Sequence, residues 1–172
     1  MGVNDTGDFV KYFAYGSNMS LLRLQERVPS AVRIGLFFLK EHQLRFHKAS
    51  KDGSGKCDAH QTNNIGDEVI GALFDINEDE KVHLDRAEGL GHDYDEKVVM
   101  VLSDTGEAFE ALIYYAIDTD LSIKPYSWYL NHVVTGAIEI NVPTQYLDII
   151  QSIECVEDPD KKRDARQRAM YR

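Results

Sequence analysis

The chain opens with a strand that stops at a glycine and turns at once into a helix. Phe9-Val10-Lys11-Tyr12-Phe13-Ala14-Tyr15 is a β-branched and aromatic run that ends at Gly16. After Ser17-Asn18 a helical pattern begins, with Ser20 placed to cap it and Leu21, Leu22, Leu24 and Val28 as its apolar set before Pro29. The tripeptide Gly16-Ser17-Asn18 is therefore held in a tight strand-to-helix turn.

Two extended segments follow, Ala31 to Leu39 and Gln43 to His47. Lys48 to Gly66 is rich in Gly, Ser, Asn, Asp and Lys and reads as a long loop of the kind that carries function. Glu68 to Ile76 alternates towards a strand, and Asn77 caps a short helix that starts at Glu78-Asp79-Glu80 and ends at Glu88-Gly89. Tyr94 to Leu102 and Ala108 to Ile117 form an antiparallel pair across Ser103-Asp104-Thr105-Gly106. Two helices, about Pro125 to Gly136 and Pro143 to Ile153, come last. The order is strand, helix, a run of strands with one inserted helix, then helices, which favours an α+β or mixed-barrel fold over a doubly wound parallel sheet.

With 172 residues and 43% hydrophobic content, one core is affordable and two are not. A single domain over 1–172 is expected, with its core at about 9–154 and a charged, partly frayed tail at 157–172. The net charge of -10 disfavours nucleic acid or an anionic membrane as partner, because both are bound by neutralising phosphates. The longest apolar run, Ile34 to Leu39, is too short to span a bilayer, and the polar start MGVNDTGD lacks a signal-peptide pattern, so a cytoplasmic location is expected. Cys57, in a polar loop, and Cys155 read as free thiols. The six histidines follow no metal-ligand spacing, so neither a metal nor a cofactor is expected.

A glycine-containing turn that feeds a helix aims several unpaired backbone N–H groups at one point, where a carboxylate or a developing oxyanion is stabilised. Any such turn uses Gly, Ser or Asn for its backbone angles, so Tyr15-Gly16-Ser17-Asn18 alone does not make a site. Glu88 is the second candidate. It sits in the last turn of its helix, facing the negative end of the helix dipole, so some other group should hold it there. It follows Leu84 by four residues, and apolar neighbours on that face would raise its pKa towards that of a general acid/base. Asp85 meets a weaker form of the same argument, and most glutamates on short helices are merely solvated.

Taken together, these segments resemble the γ-glutamylcyclotransferase-like family, with bacterial members in particular. The resemblance is carried by Tyr12-Phe13-Ala14-Tyr15-Gly16-Ser17-Asn18-Met19, Gly66-Asp67-Glu68-Val69-Ile70-Gly71, Leu84-Asp85-Arg86-Ala87-Glu88-Gly89 with Tyr94, and Pro125-Tyr126-Ser127-Trp128-Tyr129-Leu130 with Thr135-Gly136-Ala137. The Ser50 to Lys56 segment looks like a loop of bacterial members. The resemblance implies a compact mixed β-barrel-like sheet with surrounding helices, no cofactor, and release of an amino acid or amine with formation of 5-oxoproline. It places Glu88 on the catalytic glutamate and Tyr15, Gly16, Ser17 and Asn18 on the substrate-binding loop. Tyr129 falls on a pocket tyrosine, and Tyr94 borders the site.

Such a reaction needs the substrate's own α-amine to attack its γ-amide carbonyl. One carboxylate serves both halves, taking a proton from the ammonium and returning it to the departing amine. The loop amides fix the α-carboxylate or stabilise the oxyanion, and the Tyr129 hydroxyl orients the base or the carboxylate. The segment Cys57 to Asn64 is more polar than the resemblance leads one to expect. Two alternatives stand beside this reading: a non-catalytic small-molecule binding protein on the same fold, and a γ-glutamylamine cyclotransferase. An acidic exit from the pocket would favour polyamine-like leaving groups and a basic one amino acids; Lys56 and Arg86 are the first cations to consider, and both are expected to be solvated.

Overall fold

The computed structural model describes residues 7–172, so the polar start on which the signal-peptide reading rests lies outside the described residues. The strands are β1 (Phe9–Ala14), β2 (Val32–Lys40), β3 (His42–Ala49), β4 (Gly55–Gln61), β5 (Glu68–Asn77), β6 (Tyr94–Leu102) and β7 (Ala108–Ala116). The helices are α1 (Leu21–Arg27), α2 (Lys81–Glu88), α3 (Ser127–Glu139), α4 (Thr144–Gln151) and α5 (Lys161–Arg168). Most predicted elements are present with ends shifted by a few residues.

The fold is α+β, and five strands close into a barrel in the order β1-β5-β2-β6-β7. β1 runs antiparallel to β5 from Phe9↔Asn77 to Ala14↔Ala72, and closes the barrel by meeting β7 in parallel at Tyr12↔Leu112. Closure leaves no free edge among these strands. Both faces of β5 are covered, so consecutive Leu73 and Phe74 are fully buried together with Phe13, Ile76 and Ile113. Each such side chain contributes roughly 1.5–3 kcal/mol.

Two expectations are corrected. Lys48 to Gly66 is not one long loop, because Gly55–Gln61 forms β4 and pairs with β3 as a separate two-stranded sheet. Cys57 therefore sits buried on a strand rather than in a polar loop. The strand escaped notice because its polar side chains look solvated in sequence, yet they find partners in space: Asp58 accepts from the Ala116 amide at 2.9 Å and lies 2.7 Å from His47 Nε2.

The charged tail is also not frayed. Asp160 caps α5 by accepting from the Lys162 and Arg163 amides. Fully buried Asp158 accepts from Arg163 Nε and Nη2, both at 2.6 Å, and from Trp128 Nε1 at 2.8 Å. The Arg163 guanidinium holds the Asp158 carboxyl well below the usual carboxylate range. A segment poor in apolar residues is thus docked by charge-assisted hydrogen bonds.

Candidate active site

The site begins where β1 runs out. A Cβ on Gly16 would lie 2.8 Å from Cys57 Cβ and 3.4 Å from the Tyr129 hydroxyl, so only glycine lets the chain pass β4 this closely. Ser17–Met19 then makes a single 3-10 turn, and the amides of Ser17 and Asn18 have no backbone acceptor among the described residues. Ser20 caps α1, accepting from the Arg23 amide as its position predicts.

Glu88 reaches the same place from α2, which Gly89 ends in a left-handed conformation at φ 66°. Asn18 Nδ2 donates to Glu88 Oε1 at 2.8 Å and to the Tyr12 hydroxyl at 3.1 Å. Arg27 donates to Asn18 Oδ1 at 2.7 Å and lies 3.8 Å from Glu88 Oε1. These groups hold the carboxylate against the unfavourable end of its helix. The apolar surroundings expected from the Leu84 spacing are replaced by an amide and a guanidinium, while Leu84 itself is in the core. Asp85 is otherwise engaged, accepting from Lys81 at 2.8 Å and from the Tyr114 hydroxyl.

Tyr94 and Tyr129 grip one residue from two sides. The Tyr94 hydroxyl donates to the Cys57 carbonyl at 2.7 Å, and the Tyr129 hydroxyl accepts from the Cys57 amide at 3.0 Å. Tyr129 thus bonds the backbone of β4, where the sequence suggested a bond to the base or the substrate. The Tyr15 hydroxyl donates to the Tyr114 carbonyl. Burial pushes the pKa of Tyr15, Tyr94 and Tyr129 upward, so all three keep their protons at neutral pH. Burial also pushes the Cys57 thiol up to about 12, which removes it as a nucleophile.

Tyr15, Gly16, Ser17, Asn18, Glu88, Tyr94 and Tyr129 line one pocket, completed by Tyr12, Cys57 and Tyr114. A second chamber adjoins it and shares Ser17, Glu88, Tyr94 and Tyr129. Its walls bring Arg23, Arg27, Lys48, Lys51 and Lys56 against only two acids, Glu88 and Asp93. Lys56 is not solvated: its side chain is 14% exposed, donates to Asp52 at 2.7 Å, and lies 4.8 Å from the ring centres of both Trp128 and Tyr129. Arg86 is exposed, as expected. Away from the pocket, the β3–β4 hairpin gathers His47, Asp58 and His60 so that one ligand atom from each lies within 4.8 Å of the others. No sequence spacing announces this group, and the hydrogen bonds of Asp58 to His47 and Ala116 account for its burial.

Comparison with known proteins decides the family. Bovine γ-glutamylcyclotransferase is 31% identical over 153 residues, spanning 86% of this chain and 80% of the bovine protein. The chain belongs to the γ-glutamylcyclotransferase family. The human γ-glutamylcyclotransferase is 30% identical over 148 residues, spanning 83% of this chain and 78% of its own. The profile of the AIG2-like family matches residues 68–150. In three dimensions the chain superposes on a γ-glutamyl cyclotransferase with a TM-score of 0.84 over 94% of this chain and 99% of the other, at 24% identity, which speaks for a shared fold. Beside the loop and Glu88, sequence reasoning did not place Tyr12, Cys57 and Tyr114 in the pocket, nor most of the cations in the basic chamber. Arg23 and Arg27 had a signal: they lie four apart on α1, directly after the cap, and so share a helix face.

Proposed function

We propose that the protein converts a γ-glutamyl amino acid into 5-oxoproline and the free amino acid. The observation that carries this reading is the Glu88 carboxylate, held by the Asn18 amide at the boundary between the loop-lined pocket and the basic chamber. Glu88 takes a proton from the substrate's α-ammonium, and the freed amine attacks the γ-carbonyl. The new C–N bond gives a tetrahedral oxyanion, for which the Ser17 and Asn18 amides, without backbone acceptors among the described residues, are the proposed donors. Collapse breaks the bond to the leaving amine as Glu88 protonates it, and the second proton of the ring nitrogen then passes through Glu88 to the amine, which departs as an ammonium. A substrate held folded in the pocket gains up to roughly 7–11 kcal/mol from oriented intramolecular attack.

The chamber's charge supports an amino acid as leaving group. Lys56, Lys48 and Arg27 each lie beside an acid, and the remaining Arg23 and Lys51 leave the chamber net positive, which would repel a polyamine-like product and attract a carboxylate. The described residues contain no helix long and apolar enough to cross a membrane.

The test is 5-oxoproline release from a panel of γ-glutamyl amino acids and γ-glutamylamines. Glu88→Gln keeps the shape and removes the base, so turnover is expected to fall by about 10²- to 10⁴-fold. A wild-type protein that binds these compounds and never cyclises them would instead be a binding protein on this fold.

A further inference from the structure

The cations of the basic chamber differ in what neutralises them. Lys56 pairs with Asp52, Lys48 with Asp93, and Arg27 leans on Glu88. Arg23 has no acid within salt-bridge distance among the described residues, although it is only 7% exposed. Its Nε donates to Ser17 Oγ at 3.0 Å and its Nη1 to Gln167 Oε1 at 3.0 Å, both neutral acceptors, and its Nη2 has no protein acceptor among the described residues. Burial pulls its pKa down to about 10, so the guanidinium stays charged at neutral pH. A buried cation that lacks an anion is costly unless a ligand supplies one.

Placement says which end of the substrate supplies it. Glu88 lines both cavities, and the proposed mechanism sets the scissile amide beside it, with the glutamyl part in the loop-lined pocket and the departing group in the outer chamber. Arg23 lines only the outer chamber.

The guanidinium is also held from behind by the C-terminal segment. Gln167 Oε1 lies 2.8 Å from His132 Nε2, and His132 Nδ1 lies 2.6 Å from the Tyr171 hydroxyl. That hydroxyl is 3.0 Å from Ser20 Oγ, the cap of the helix that carries Arg23. α5 is anchored in turn by the buried pair of Arg163 and Asp158. Residues from the last turns of the chain thus close a ring around the first turn of α1.

We infer that Arg23 is the receptor for the carboxylate of the departing amino acid, and that Gln167 on α5 is a positioning residue that aims its guanidinium. This rests on the cyclotransferase reading and adds to it the residue that selects the leaving group.

The test compares γ-glutamyl-alanine with γ-glutamyl-alaninamide, in which a neutral carboxamide of nearly the same shape replaces the leaving group's carboxylate. Wild type should prefer the carboxylate by on the order of 10- to 100-fold in kcat/KM, the usual strength of a hydrogen bond to a charged group. Arg23→Gln, which also removes the bond to Ser17 Oγ and so slows both substrates, should abolish that preference by raising KM for γ-glutamyl-alanine well beyond any change for the alaninamide. Gln167→Ala, which leaves α1 intact, should weaken the preference part-way, and Arg23→Lys should retain part of it. Equal losses on both substrates, or a wild type without preference, would overturn the assignment. Calorimetric binding of the same two compounds to Glu88→Gln, with and without Arg23→Gln, reads the receptor independently of turnover. A carboxylate preference there in a protein that never cyclises would sink the cyclotransferase reading and spare Arg23, while equal binding of the two compounds would sink Arg23.

Discussion

The two cavities that share Glu88 are built from different materials. The inner pocket is made where the end of β1 and the loop after it meet β6 and β7 of the barrel, with β4, α2 and α3 closing it. Its walls are five tyrosines, the Gly16–Asn18 loop and Cys57, and the one acid among them is Glu88. The outer chamber is made by α1 and the β3–β4 side of the molecule, with the C-terminal segment behind it, and its walls are cations held by acids and amides. Neutral hydroxyls fixed by backbone bonds suit a reaction that moves a proton through one carboxylate, since no second charge competes with it. Cations suit recognition, since they attract one kind of departing group and repel another. On the proposed function, chemistry belongs to the inner pocket and selection to the outer chamber.

Damage to the inner pocket should therefore show in kcat. Gly16→Ala places a methyl group 2.8 Å from Cys57 Cβ, and either the loop or β4 must move. A displacement of about 1 Å costs roughly 10²-fold in rate, so 5-oxoproline release should fall at least that far while circular dichroism stays native. Retention of wild-type turnover would show that the loop is not held to this geometry. Damage to the polar scaffold behind the outer chamber should show in stability. Asp58→Ala removes two hydrogen bonds that tie β4 to β3 and β7, at a cost of about 3 kcal/mol. Ile113→Val, which trims one methyl group from the fully buried barrel core, should cost only about 1 kcal/mol. Urea denaturation of the two variants measures the ratio, and a reversed order would mean that the hairpin is not held by its polar pairs.

The same contrast explains what could be read from the chain before the fold was known. The barrel strands are legible because an apolar core imposes alternation: β6 and β7 were placed within a residue of their ends by their own pattern. A glycine turn and an acid at a helix C-terminus are local oddities that made the Tyr15 to Asn18 loop and Glu88 candidates, but only the family resemblance of the two together made them a site. Nothing local distinguishes β4, where Lys56, Asp58 and His60 read as loop residues until Asp52 and His47 meet them. The tail fails in the same way. Arg163 is a surface charge in sequence and an anchor once Asp158 is buried beneath it. Polar residues that pair across space leave no period in sequence, so the outer chamber was invisible where the inner pocket was not.

The contrast extends to acid. The tyrosines of the inner pocket, with their raised pKa values, do not change protonation between neutral pH and about pH 4. The ring behind Arg23 does contain a group that responds. Burial, with the nearby Arg23 charge as a smaller cause, lowers the His132 pKa from 6.5 to about 4. Above pH 6.5 His132 is neutral in both the folded and the unfolded chain and contributes nothing to pH dependence. As pH falls below 6.5 the unfolded chain takes up a proton that the folded chain refuses until about 4, so the unfolded state binds more protons and stability falls through that window. The expected penalty is roughly 1 kcal/mol at about pH 5.5. Thermal unfolding followed between pH 7 and pH 4.5 should show a shallower decline for His132→Gln, which does not titrate, than for wild type. Parallel curves would mean that His132 accepts a proton in place and that the ring around Arg23 opens more easily than its hydrogen bonds imply.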